Sequence, residues 1–213
     1  MVHNPLSMMA ERSIEQHPLQ PFLPPRARLL MLGSFPPKRE RWSMDFFYPN
    51  RQNDMWRIVG KVFFDDAQHF ETEDRKKFDK ERIIAFCSTK GLALFDAASE
   101  VRRLMDNASD KFLEVVTPTN LEELLCALPE CSAVVTTGQK ATDLVVAALG
   151  CSEPKVGECS TFEFAARTMR LWRMPSSSRA YPLSLEKKAA FYRKMFASEG
   201  LIIDENNVSL SQR

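Results

Sequence analysis

Four short apolar runs leave this chain few folds to adopt. Residues 28–33 (RLLMLG), 92–95 (LALF), 133–137 (AVVTT) and 168–174 (TMRLWRM) each run into a Gly, Asp or Pro. Runs this short, rich in Leu and Val and closed by a turn residue, read as buried strands. The stretches between them read as helices. Met55, Val59 and Val62 make an apolar stripe within 50–64, residues 74–90 form a charged helix stopped by Gly91, and residues 140–149 are stopped by Gly150. Thr119-Asn120-Leu121-Glu122 has the form of a capping box opening a helix to about residue 128, and Ser184 caps a last helix to about residue 196. Strands alternating with helices predict an α/β chain: a three-layer α/β/α sandwich with a mostly parallel central sheet of about four strands.

The boundaries follow from the same pattern. Residues 1–27 are Pro-rich and aperiodic and are expected to wrap the surface as an N-terminal extension. Residues 28–198 make one domain, and 199–213 a polar C-terminal tail. No run approaches the roughly 18 apolar residues of a membrane span, and the first residues lack the basic-then-apolar form of a secretory leader. A cytoplasmic protein is expected.

Several chemistries lose their footing here. The chain has no GxGxxG and no GxxxxGK[ST], so the strand–Gly–helix at 134–140 is a weak phosphate loop. GxSxG is absent, and the histidines are His3 and His17 in the N-terminal extension and His69 in an acidic loop, which disfavours a serine triad. The 5 cysteines form no CxxC pair, so neither a cluster nor a metal site is expected.

Two loops stand out. One is Leu32-Gly33-Ser34-Phe35-Pro36-Pro37, continuing to Phe46-Phe47-Tyr48-Pro49-Asn50-Arg51-Gln52-Asn53-Asp54-Met55-Trp56. The other is Met174-Pro175-Ser176-Ser177-Ser178-Arg179. Both follow predicted strands, and loops at the carboxyl ends of parallel strands build sites in open sheets. Net charge is only +1, yet basic residues gather around both loops, in 26–61 and in 162–194. That placement suits a local phosphate-facing surface, and equally a set of solvated helix faces.

These loops resemble the active-site motifs of the uracil-DNA glycosylase superfamily, closest to its hypoxanthine-DNA glycosylase and mismatch-specific branch. Gly91-Leu92-Ala93-Leu94-Phe95-Asp96 and Thr137-Gly138 resemble further elements of that branch, and the motifs together span 28–196. Three positions depart from its pattern. Pro37 replaces a Gly, Ser34 stands where mismatch-specific relatives place a catalytic Asn, and Asn50 aligns with the usual His of the first loop.

The resemblance implies a monomeric DNA glycosylase of base excision repair. It would hydrolyse the N-glycosidic bond of a deaminated or mismatched base, uracil or hypoxanthine in type, with no metal and no organic cofactor. Its partner would be DNA containing the damaged base, and no membrane. By the same resemblance Asn53 and Ser34 are catalytic candidates. Phe35, Phe47, Tyr48 and Asp96 would bind the flipped base, and Pro175, Ser176, Ser177, Ser178 and Arg179 the DNA. No Lys occupies a Schiff-base position, so the enzyme would be monofunctional. Other roles suit the same residues: Asn53 and Asp96 as helix caps, Ser34 as a turn serine, Phe35 and Phe47 as core aromatics. A binding protein of the same fold without catalysis, and a hydrolase of free nucleosides, are the rival functions.

Overall fold

The structure is a computed structural model, and residues 13–105 and 110–202 are described. The first predicted strand is β2 (Leu29–Gly33), buried at every position, preceded by a two-residue strand β1 (Glu15–Gln16). Helices α1 (Met55–Phe64) and α2 (Lys80–Lys90) lead to β3 (Leu92–Asp96). A hairpin of β4 (Ala98–Arg103) and β5 (Leu113–Pro118) follows. Then come α3 (Leu121–Cys126), β6 (Ala133–Thr136) and α4 (Gln139–Leu149). The edge hairpin β7 (Glu158–Phe164) and β8 (Arg167–Arg173) and the last helix α5 (Leu185–Ser198) complete the order.

The main sheet has 5 strands in the order β3-β2-β6-β8-β7. The first four run parallel and β7 pairs antiparallel to β8. The mostly parallel sheet is as expected, with the four parallel strands joined by a fifth, antiparallel one at the edge. It is a half-exposed edge strand, so it lacks the buried apolar run that marks the others. The connection β2→β3 runs one way along the sheet and β3→β6 runs back the other way. Right-handed crossovers then put α1 and α2 on one face and α3 and α4 on the other. α1 packs on α5 and α3 on α4, consistent with that division.

Three boundaries differ from the sequence expectation for local reasons. α1 starts at Met55, not near residue 50, because Asn50 closes a turn by accepting from the Gln52 amide at 2.9 Å. α2 starts at Lys80, where Asp79 accepts from the Arg82 amide at 3.0 Å; residues 72–77 before it form a turn around Thr72 and Asp74. α3 is capped by Asn120 rather than Thr119, whose hydroxyl instead donates to the Asp96 carbonyl at 2.7 Å.

The segment before β2 is tied into the fold. β1 pairs antiparallel with β4, which with β5 makes a second sheet of 3 strands. Phe22 exchanges backbone hydrogen bonds with Leu94 at 3.0 and 2.9 Å. No helix among the described residues is long and apolar enough to cross a membrane.

Candidate active site

The strand order reverses at β2, and β2, β3, β6 and β8 all end on the same side. Their carboxyl-end loops enclose a cleft of about 580 Å³. Gly33 comes from β2, Asp96 from β3, Thr137 follows β6, and Ser176 to Ser178 follow β8. The volume falls in the range of a small-molecule pocket.

The two motif loops are joined by their backbones. Asn53 and Ser178 form an isolated antiparallel bridge, the Asp54 amide donates to the Ser177 carbonyl at 2.8 Å, and the Arg179 amide donates to the Gln52 carbonyl at 3.1 Å. Asn53 lines the cleft, and its side-chain Oδ1 accepts from the Met55 amide at 2.9 Å. This is a turn bond two residues ahead. It occupies one lone pair and leaves the side-chain NH2 and the second lone pair.

Asp96 is not a helix cap, since a strand follows it. It is 7% exposed and lines the cleft, and its Oδ2 lies 2.9 Å from Nε2 of His17. Gly33 makes room for it. A Cβ built there would collide with Asp96 Oδ1 and lie 3.6 Å from the Tyr48 ring. Tyr48 carries the chain round a left-handed turn at φ 50° and reaches Thr137, its hydroxyl 3.1 Å from Thr137 Oγ1. Thr137 donates onward to the Leu32 carbonyl at 3.3 Å, so Tyr48 donates to Thr137. Burial, reinforced by the Asp96 charge, drives the phenol pKa far up. Tyr48 stays a neutral donor.

Of the aromatic candidates, Phe35 and Tyr48 line the cleft and Phe47 does not. Phe47 is 3% exposed in the core, set edge-on to Phe46 and Phe95, with its carbonyl accepting from the Trp56 indole at 3.0 Å. Ser34 lines the cleft, and its carbonyl accepts from the Ala98 amide at 3.2 Å. Ser176 and Ser178 also line it, their Oγ atoms accepting from the amides of Ser178 and Ala180 at 3.2 Å each. Accepting leaves each hydroxyl proton available to a phosphate. Ser177 lines the cleft but is 2% exposed; Pro175 is buried, with its carbonyl accepting from Tyr192 at 3.1 Å.

A buried ionic network, unmarked in the sequence, supports the serine loop. Asp54 accepts from Arg179 Nε at 2.9 Å and Lys188 Nζ at 3.2 Å, and Arg57 stands 3.8 Å away. Glu71 accepts from Arg57 at 2.7 Å and Arg51 at 3.2 Å. Lys188 also donates to the Ser178 carbonyl at 2.7 Å. Burial pushes the Arg57 pKa down, opposed by Glu71. Cations outnumber carboxylates here, so the floor behind the serine loop is positive. Arg41, Arg103 and Lys111 add cationic side chains to the cleft wall.

His17 was unforeseen as a site residue. Its role depends on the pairing of β1 with β4, a long-range contact that leaves no local pattern. Among the described residues no group of three or more His, Cys, Asp or Glu side chains is placed to hold a metal ion.

The fold has a solved counterpart. The chain matches the solution NMR structure of a candidate uracil DNA glycosylase from Methanosarcina acetivorans with a TM-score of 0.56 at 18% identity. The match covers 85% of this chain and 98% of that one. The fold is therefore uracil-DNA-glycosylase-like. No family model matches the chain, and no curated protein matches it.

Proposed function

We propose that the protein is a monofunctional DNA glycosylase that hydrolyses the N-glycosidic bond of a deaminated or mismatched base in base excision repair. The observation that carries this reading is the joining of the Asn53 loop to the serine loop across one cleft at the carboxyl ends of the parallel strands. Such a site takes an extruded nucleotide on one side and the phosphates flanking it on the other.

The chemistry asked of the side chains is modest. A water oxygen bonds to the sugar C1′, the C1′–N bond breaks with its electron pair passing to the base, and the proton the water gives up balances the one the departing base takes. The transition state resembles an oxocarbenium ion, so a weak nucleophile suffices and positioning carries much of the rate. Asn53 orients the water or the sugar through its remaining donor and acceptor capacity, and Ser34 stands beside the path. Asp96 accepts the ring N–H of a lactam base, and Phe35 flanks the base. Ser176 and Ser178 donate to phosphate. Lys188 is committed to Asp54 and the Ser178 carbonyl and does not line the cleft, so it is not offered as a Schiff-base amine.

A second reading, a nucleic-acid-binding protein without turnover, draws on the Asn53 carbonyl being engaged by the Met55 amide. Incubation with uracil- and hypoxanthine-containing oligonucleotides separates the two. Alkali-labile abasic sites establish the glycosylase; salt-sensitive binding without them establishes the binding protein. A hydrolase of free nucleosides would lack that salt slope.

A further inference from the structure

We infer that His17, from the N-terminal segment, is a positioning residue that holds the Asp96 carboxylate for the base; the inference rests on the glycosylase reading above. The His17 side chain is 4% exposed. Its Nε2 meets Asp96 Oδ2 at 2.9 Å, and an ionised carboxylate only accepts, so Nε2 carries the proton. The ring is fixed from behind: Nδ1 lies 2.8 Å from the Leu19 carbonyl and 3.2 Å from its amide. Phe95 packs on it at 4.5 Å between centroids, Phe35 edge-on at 5.3 Å, and Phe47 stacks at 6.3 Å.

This bond divides the carboxylate. Oδ2 is spent on His17, while Oδ1 sits over Gly33, where any Cβ would displace it; Gly33 and Asp96 both line the cleft. One acceptor is thereby presented in one direction. A ring N–H beside a carbonyl, as in uracil and hypoxanthine, matches a lone acceptor; a ring nitrogen without hydrogen is repelled by it.

The same segment steadies a second cleft residue. Glu15, in β1, accepts twice from Arg103 Nε at 3.0 Å, and Arg103 donates to the Pro36 carbonyl at 2.6 Å. The His17 amide donates to the Ser99 carbonyl at 2.8 Å, which keeps the segment in register with β4. The N-terminal segment thus backs the site, holding Asp96 and Arg103 from behind the residues that line the cleft.

The test compares wild type, His17→Leu and His17→Gln in single-turnover base release. Uracil is paired with 3-deazauracil and hypoxanthine with 1-deazahypoxanthine, analogues with C–H in place of the ring N–H. His17→Leu keeps the volume and loses the donor; His17→Gln keeps a donor. The inference predicts that Leu lowers release of the N–H bases about tenfold, as for one hydrogen bond to a charged group. Release of the analogues stays within about twofold, and Gln restores most of the loss. If Leu unfolds the protein, His17→Asn, too short to reach Asp96, takes its place. An equal loss on base and analogue, or no loss on either, overturns the inference and leaves the glycosylase standing. No release of any base by the wild type overturns the glycosylase reading and this inference with it.

Discussion

Asn53 and Ser178 meet in a single antiparallel bridge that joins the loop after β2 to the loop after β8. The bridge sets the distance between the proposed chemistry and the proposed phosphate contacts, and it makes one unit of two segments far apart in the chain. The Asn53 side chain serves both sides of that unit. Its side-chain carbonyl holds the start of α1, and the residue lines the cleft.

Asn53→Ala therefore has two separable effects. Losing the bond to the Met55 amide costs about 1 kcal/mol of stability, the typical worth of such a turn or cap bond. Base release falls by about tenfold or more, measured under single turnover with saturating protein. A thermal shift without a rate change within about twofold would leave Asn53 a turn residue only.

Gly33→Ala tests the seat of Asp96. A methyl group at residue 33 collides with Asp96 Oδ1 and moves the carboxylate off its line to the cleft. The expected result is lost base release with binding of undamaged DNA unchanged, because the serine loop is untouched. Full activity in this variant would show that Asp96 takes no part in base recognition.

Asp54 is the keystone of the network behind the serine loop. Asp54→Ala strands the buried Lys188 cation and is expected to cost about 3 kcal/mol in urea unfolding. Asp54→Leu combined with Lys188→Met removes both charges and should recover much of that loss. Arg179→Ala is different, because the Arg179 side chain is 45% exposed. It should cost under about 1 kcal/mol of stability while lowering the salt slope of DNA binding by about one phosphate contact.

Much of the fold was legible because its parallel strands are continuous apolar runs buried on both faces, as in Leu29–Gly33 and Ala133–Thr136. The β4–β5 hairpin was not. Its strands ASEVRR and LEVVTP are largely part-exposed and mix polar with apolar residues out of alternation, so no period separates them from a loop. The Gly33, Asn53 and serine loops were legible through their residue types and order. His17, Lys188 and Glu71 were not, since their partners lie far off in sequence. Phe47 shows the limit of reading an aromatic triplet. With Phe46 and Phe47 turned into the core and the left-handed turn at Tyr48, the tyrosine of the three lines the cleft.

Alkaline pH should weaken the fold. Burial raises the pKa of Tyr48, Tyr192 and Cys87, and pushes Cys131 up to about 11. The folded chain thus keeps protons that the unfolded chain, with Cys near 9.0 and Tyr near 10.0, gives up. Stability is fully present below the unfolded values and is lost as pH climbs past them, by up to about 1.4 kcal/mol per group per pH unit. The urea midpoint should fall between about pH 8 and 10.5, and Cys131→Ala should flatten the part of the slope that begins near the cysteine value. A midpoint independent of pH would contradict the burial of these groups.

The most direct test of the central claim is single-turnover release of uracil, hypoxanthine or xanthine from labelled oligonucleotides, with Asn53→Ala in parallel. The account predicts release of at least one of these bases, an intact strand bearing an abasic site, and a large loss in the variant. No release from any oligonucleotide, with salt-sensitive DNA binding intact, would contradict it and leave a nucleic-acid-binding protein of the same fold.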